Sequence, residues 1–263
     1  MTLAESTSFN TIAPASLQAG SPALLHAAKV FTALFAAVVL LQLAETRTIH
    51  GADVWVKPAK FFVSLALQMA TLAWGMSLVT GPVRRRFRLD AAVWLFVALA
   101  TFEMTYIVYR ASRGEASHFN HSSQLADVLY AMMGLAAVTM MLLTGWAGLA
   151  MIRTGTALSR VSGTSFIAAA LLTIVIGGYL SSQPSHWIGG DQTDATGLPL
   201  LGWSTTGGDL RPAHFAAMHV MQITPIAALL AGPRAGWIAG AACVATAAIL
   251  FAVGLNGIPL IAM

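Results

Sequence analysis

The sequence predicts an all-α polytopic membrane protein, a bundle of seven transmembrane helices, and three observations carry that prediction. Of 263 residues, 57% are hydrophobic and 9% charged, whereas soluble domains carry roughly 25% charged residues. Apolar runs of about 20 residues recur, each long enough to cross a ~30 Å hydrocarbon core. The alternating pattern of a membrane barrel is absent, and a chain in lipid that is not a barrel must satisfy its backbone as helices.

The chain opens with a tail over 1–22 that lacks the basic n-region of a signal peptide. The first span, 23–44, is therefore expected to remain in the mature protein and to begin a seven-helix domain over 23–263. The following spans are expected at 59–79, 91–110, 125–152, 161–180, 213–231 and 236–262. The fourth is long enough to tilt or to project past the bilayer. The lone cysteine, Cys243, falls in the last span, which excludes an intrachain disulfide.

The net charge of +4 comes mostly from one loop, "GPVRRRFRLD", and does not point to nucleic acid. Arg84, Arg85, Arg86 and Arg88 share a side with Arg153, Arg160 and Arg234 when seven spans are threaded. The positive-inside rule makes that side, and the N-terminus, cytoplasmic. Six of the seven histidines then fall in the outer half.

"VKPAKFFVSLALQ" (56–68) aligns with "LRPAHFAAMHVMQ" (210–222) at a constant offset. Pro58 matches Pro212, Ala59 matches Ala213, Phe61 matches Phe215 and Gln68 matches Gln222. Both segments open a helix from the outer side. The match suggests a 3+1+3 pseudo-repeat of the parallel kind found among transporters.

Residues three, four and seven apart share a helix face. Lys57, Lys60, Ser64 and Gln68 make one stripe on the second helix, and Arg211, His214, Met218 and Gln222 make its counterpart on the sixth. Glu103, Tyr106 and Arg110 make a third, and Asn256 is the polar candidate on the seventh. Ser64 and Met218 lie roughly 10 Å below the cations Lys57 and Arg211, and Glu103 a similar depth below Arg110. An ionisable group within a span costs about 2.5–3.5 kcal/mol, so Glu103 is expected to face a cavity with a partner, Lys60 or Arg110. Lys57 and Arg113 are expected to snorkel.

His214 and His219 are five apart, roughly 140° around a helix, which argues against a shared metal on one face. A site between helices, from His118, His214 or His219 with Glu103 or Asp209, would suit zinc, iron or copper, and paired helix histidines would suit haem. His26 is expected to pack, and His50, His121 and His186 to bond within loops. Asp53 and Asp209 stand where helix N-caps belong. No GxSxG, HExxH, Walker A or dinucleotide fingerprint is present.

The segments "WVKPAKF", "RGEASHFN" and "GWSTTGGDLRPAHF" resemble a family of bacterial seven-span integral membrane proteins of uncharacterised activity. That resemblance implies an inner-membrane location. The likeness to ceramidase and adiponectin-receptor hydrolases is limited to span number and late histidines, because their i, i+4 pair on the last helix is missing. No residue role carries over.

The sequence therefore supports an outward-facing enzyme or redox protein. Glu103 would be the acid or base, with His118, His214 and His219 carrying protons. Lys57, Lys60, Arg110 and Arg211, with Ser64, Gln68, Tyr106, Gln222 and Asn256 beside them, would bind an anionic small molecule or lipid headgroup. A transporter or channel and a receptor or assembly subunit are the alternatives. Membrane lipids are expected partners, and a homo-oligomer is compatible with the pattern.

Overall fold

The computed structural model describes residues 20–262. Most of the expected tail, 1–19, lies outside them. Eight helices form among the described residues, and seven are long and apolar enough to cross a membrane. They are α1 (Pro22–Gln42), α2 (Val56–Ser77), the short α3 (Gly81–Arg86), α4 (Leu89–Ser112), α5 (Gln124–Thr154), α6 (Ala157–Ser182), α7 (Arg211–Ala231) and α8 (Pro233–Leu255). The chain is thus a multi-pass, all-helical membrane protein.

Local chemistry sets the helix starts. Ser21, Ser123 and Thr156 each accept a first-turn N–H on a side-chain oxygen: Leu24 N at 3.4 Å, Ala126 N at 3.2 Å and Ser159 N at 3.1 Å. Such caps satisfy donors that no helical carbonyl can reach. The expected last span overran its helix. α8 stops at Leu255, because Asn256 turns its amide onto Ala252 O at 2.8 Å and Pro259 has no N–H to continue the ladder. The loop read as "GPVRRRFRLD" also contains α3, with Pro82 in its first turn.

Consecutive helices pack antiparallel, α1 on α2, α5 on α6, α6 on α7 and α7 on α8, while α4 sits among α1, α2 and α5. The α5–α6 crossing is backbone on backbone. A Cβ on Gly148 would stand 2.6 Å from the carbonyl oxygen of Gly163, so only glycine fits there. Phe96, Met69, Met133, Met151 and Phe166 fill the dry centre. α2 and α7 are bridged by Gln222 Nε2, which donates to Thr71 Oγ1 at 3.3 Å.

The bundle has two unlike ends. At the arginine end, the Arg84 guanidinium holds Gly20 O and bonds Asp90 Oδ1 at 2.6 Å. There Thr80 N also donates to Thr154 Oγ1 at 3.4 Å, and Trp146 Nε1 to Phe87 O at 2.9 Å. At the histidine end, two antiparallel pairs form: β1 (Thr48–Ile49) with β2 (Ala52–Asp53), and β3 (Trp187–Ile188) with β4 (Gly208–Asp209). The first pair precedes α2 and the second precedes α7.

The two helix entrances share a device. Asp53 Oδ1 accepts Trp55 N at 2.7 Å, and Asp209 Oδ1 accepts Arg211 N at 2.9 Å. The N-cap residues are Trp55 and Leu210, both in αR conformation without a side-chain cap bond. The aspartates therefore act just ahead of the cap position expected for them, as turns rather than caps. The loops are then latched together, since the His50 carbonyl accepts Asp194 N at 2.8 Å and Thr193 Oγ1 at 3.0 Å.

Candidate functional site

Glu103 lies in the middle of α4 with 4% of its surface exposed. Its Oε1 is buried without a hydrogen-bond partner, and so is the hydroxyl of Tyr106 one turn away. Native proteins pair nearly all such atoms, so an orphan pair on one face is a signal of something that binds there. Lys57, in the first turn of α2, is the nearest opposite charge: it and Glu103 lie within electrostatic reach. No ion pair closes between them among the described residues, and the Lys57 ammonium has only the Phe61 ring, 5.9 Å from its centroid.

Three imidazoles surround this gap. His118 comes from the loop after α4, within electrostatic reach of Lys57, His186 and His214. Its Nδ1 lies 3.1 Å from Ser117 Oγ, and its ring packs on Phe61 and Tyr130 at 5.7 Å each. Burial first, and then the neighbouring positive groups, hold His118 well below its ordinary value, so the ring is neutral. His214 enters from the first turn of α7 and lies against Gly177 of α6. His186 packs against Trp187 with ring centroids 3.9 Å apart and planes tilted by 42°, and its Nε2 stops 3.8 Å from Asp194 Oδ1, too far for a hydrogen bond. Burial lowers His186 too, with Asp194 opposing.

Arg211 anchors the roof of the site instead of facing a ligand. Its guanidinium bonds Asp209 Oδ2 at 2.7 Å, Asp194 Oδ1 at 2.8 Å and Gly202 O at 2.6 Å. Asp209 also accepts Ser204 N at 3.0 Å. Burial pushes Asp194 up, but His186 and Arg211 outweigh it and hold the carboxyl below its ordinary value.

The structure thus gathers Lys57, Glu103, Tyr106, His118 and His214, and sends other expected site residues elsewhere. Arg110 is not the partner of Glu103, because Glu115 takes its guanidinium at 2.8 Å. Neither is Lys60, whose ammonium donates to Leu201 O at 2.7 Å. Lys57, expected to snorkel, turns to the interior. His219 stacks on Phe215 at 3.9 Å and donates from Nδ1 to its carbonyl at 3.0 Å, away from His214. Gln68 donates to Thr144 Oγ1 and Gln222 to Thr71 Oγ1, each at 3.3 Å. Ser64 is exposed, and Asn256 lies past the end of α8. His26, expected to pack, is exposed, whereas His121 bonds Asp127 at 2.6 Å as a loop histidine should.

The expected metal set does not assemble. Asp209 is committed to Arg211 and His219 to Phe215, and among the described residues no three His, Cys, Asp or Glu side chains converge on one point. The donors therefore do not fit a zinc, iron or copper ion. Sequence reasoning missed His186, Asp194 and Glu115 as site neighbours. Their one signal was the charge in two loops at the histidine end, the one after α4 and the one after α6, with nothing in the spacing to choose partners. No protein-family model, curated protein or solved structure matches this chain.

Proposed function

We propose that this is a membrane-embedded acid–base enzyme of the bacterial inner membrane, with its arginine end cytoplasmic and its site opening outward, acting on a small anionic or lipid-like substrate. The observation that carries this reading is the unclosed gap between half-buried Lys57 and buried Glu103, opposite charges held near each other without a bond. Intramembrane ionisable groups arranged this way mark functional sites, because their insertion is costly and nothing structural repays it. In this reading the Lys57 ammonium holds the substrate anion and the Tyr106 hydroxyl donates to it. Glu103 moves a proton at the reacting atom. His118, neutral at rest, and His214 pass that proton toward the histidine end.

A transporter is the second reading. It is favoured by buried Thr224 on α7 and Ser162 on α6, whose hydroxyls lack partners toward the arginine end, and by the like entrances of α2 and α7. Those entrances support, in this reading, a 3+1+3 pseudo-repeat.

Calorimetry on purified protein with inorganic phosphate, glycerol 3-phosphate and acetate tests the anion site. A charge-assisted hydrogen bond contributes about 1.5–3 kcal/mol, so Lys57→Met should weaken the best of these probes roughly 10- to 100-fold. Binding unchanged in Lys57→Met and in Glu103→Gln sinks the proposal. Flux of the bound probe across proteoliposomes replaces the enzyme reading with transport.

A further inference from the structure

A groove of about 240 Å³ runs along the α5–α6 pair, from the middle of the bundle toward the arginine end. Its walls are Leu142, Trp146 and Leu149 on α5 and Ile167, Leu171 and Ile174 on α6. Its floor is Gly145 and Ala170, where a Cβ on Gly145 would stand 3.4 Å from the Cβ of Ala170. On each helix the small residue shares a face with large ones three positions before it and four after, so the hollow is written into both sequences. One wall is also held in place: Trp146 Nε1 donates to Phe87 O at 2.9 Å, and the two rings lie 4.8 Å apart.

Both groove faces end in arginine. Arg153 follows Leu149 by four residues and Arg160 precedes Ile167 by seven, so on regular helices each continues the lining face of its own helix. They stand roughly 6 Å and 10 Å beyond the groove, on either side of the short turn that joins the helices. They are the only lysine or arginine residues on α5 and α6. Both are exposed, and neither bonds a carboxylate among the described residues. A general excess of positive charge at this end does not require that placement, since Arg85, Arg86 and Arg234 lie on helices that do not line the groove.

Charge complementarity chooses the occupant. An apolar channel with two unpaired guanidinium groups at one end fits an amphiphile with a negative head. The groove is smaller than the roughly 300–1,000 Å³ of a pocket that encloses a whole small molecule, so it suits a single acyl chain. We infer that the α5–α6 groove binds one anionic phospholipid of the leaflet at the arginine end, its phosphate at Arg153 and Arg160 and one chain against Trp146, Leu149, Ile167 and Leu171. The site lies at the opposite end of the bundle from Lys57 and does not depend on the reaction proposed there.

The test compares wild-type protein with Arg153→Gln/Arg160→Gln, with Gly145→Leu, which fills the floor, and with Gly145→Ala, which leaves most of it open. Arg85→Gln/Arg234→Gln removes the same charge from the same end without touching the groove. Each is extracted in mild detergent and weighed by native mass spectrometry after exposure to mixed phosphatidylglycerol and phosphatidylcholine. The expected result is one retained phosphatidylglycerol in wild type, Gly145→Ala and Arg85→Gln/Arg234→Gln, and at least tenfold less in Arg153→Gln/Arg160→Gln and Gly145→Leu. Equal losses in the two double variants, undiminished phosphatidylglycerol in a folded Gly145→Leu, or equal retention of both lipids by wild type overturns the site. Both arginines are exposed, so the paired double variants decide the matter even where Gly145→Leu does not fold.

Discussion

The imidazole of His214 on α7 occupies the space where Gly177 of α6 has no side chain: a Cβ there would stand 3.1 Å from His214 Nε2. Gly177→Ala gains roughly 0.5–1 kcal/mol of helix preference, which offsets the cost of the tight contact. Thermal stability in detergent should therefore change little, while the His214 ring resonances move and anion binding weakens. Unmoved resonances would mean the ring does not rest on Gly177.

Lys57 and Glu103 should behave as a thermodynamic pair. Removing either charge leaves the other without its nearby counter-charge, a smaller loss than breaking a bonded buried pair. Lys57→Met and Glu103→Gln should each lower the unfolding temperature, and the double variant should lose less than the sum. Strict additivity in that double-mutant cycle counts against their coupling.

Arg211 is tied to two carboxylates and a carbonyl through a planar fork. Lysine cannot reproduce that geometry. Both Arg211→Ala and Arg211→Lys should destabilise the roof by about 3–5 kcal/mol, read by denaturation, with faster hydrogen exchange at Gly202 and Ser204. Rescue by lysine would show that charge alone suffices there.

Acid should weaken the histidine end before it weakens the bundle. Burial and the nearby Lys57, His186 and His214 hold His118 well below the ordinary 6.5. The unfolded ring takes up a proton below that pH and the folded ring does not, so the unfolded state binds more protons there. Stability is full above about pH 6.5 and is lost as pH falls below it. His186, lowered by burial, adds a change of the same sign. Unfolding temperature followed between about pH 8 and about pH 5 should fall toward acid, and His118→Gln should flatten the slope. An identical slope in the variant would place the effect elsewhere.

Hydropathy made the seven spans legible because a chain in lipid that is not a closed barrel must satisfy its backbone within long apolar helices. Ends were less legible. A run such as 256–262 is apolar enough to extend a span, and only Asn256 and Pro259 stop it. The two-residue strand pairs carry no periodicity, so nothing local announced them. Helical spacing put Glu103 and Tyr106 on one face, but it could not say which cation crosses from another helix. Arg110, on the same helix, was the nearer candidate by spacing, and it turned instead to Glu115. Partner choice of this kind depends on how loops fold back, as with Asp194 and Arg211, and such contacts leave no pattern along the chain.

The latch on the His50 carbonyl joins residues 143 positions apart. A ribosome adding roughly 5–20 residues per second needs on the order of ten seconds to make that stretch. α2 and α4 leave the ribosome before Thr193 and Asp194 exist. The nascent protein thus carries Lys57 and Glu103 uncovered during synthesis, and whatever insertion machinery or lipid shields them then does so in place of a roof the chain has yet to make.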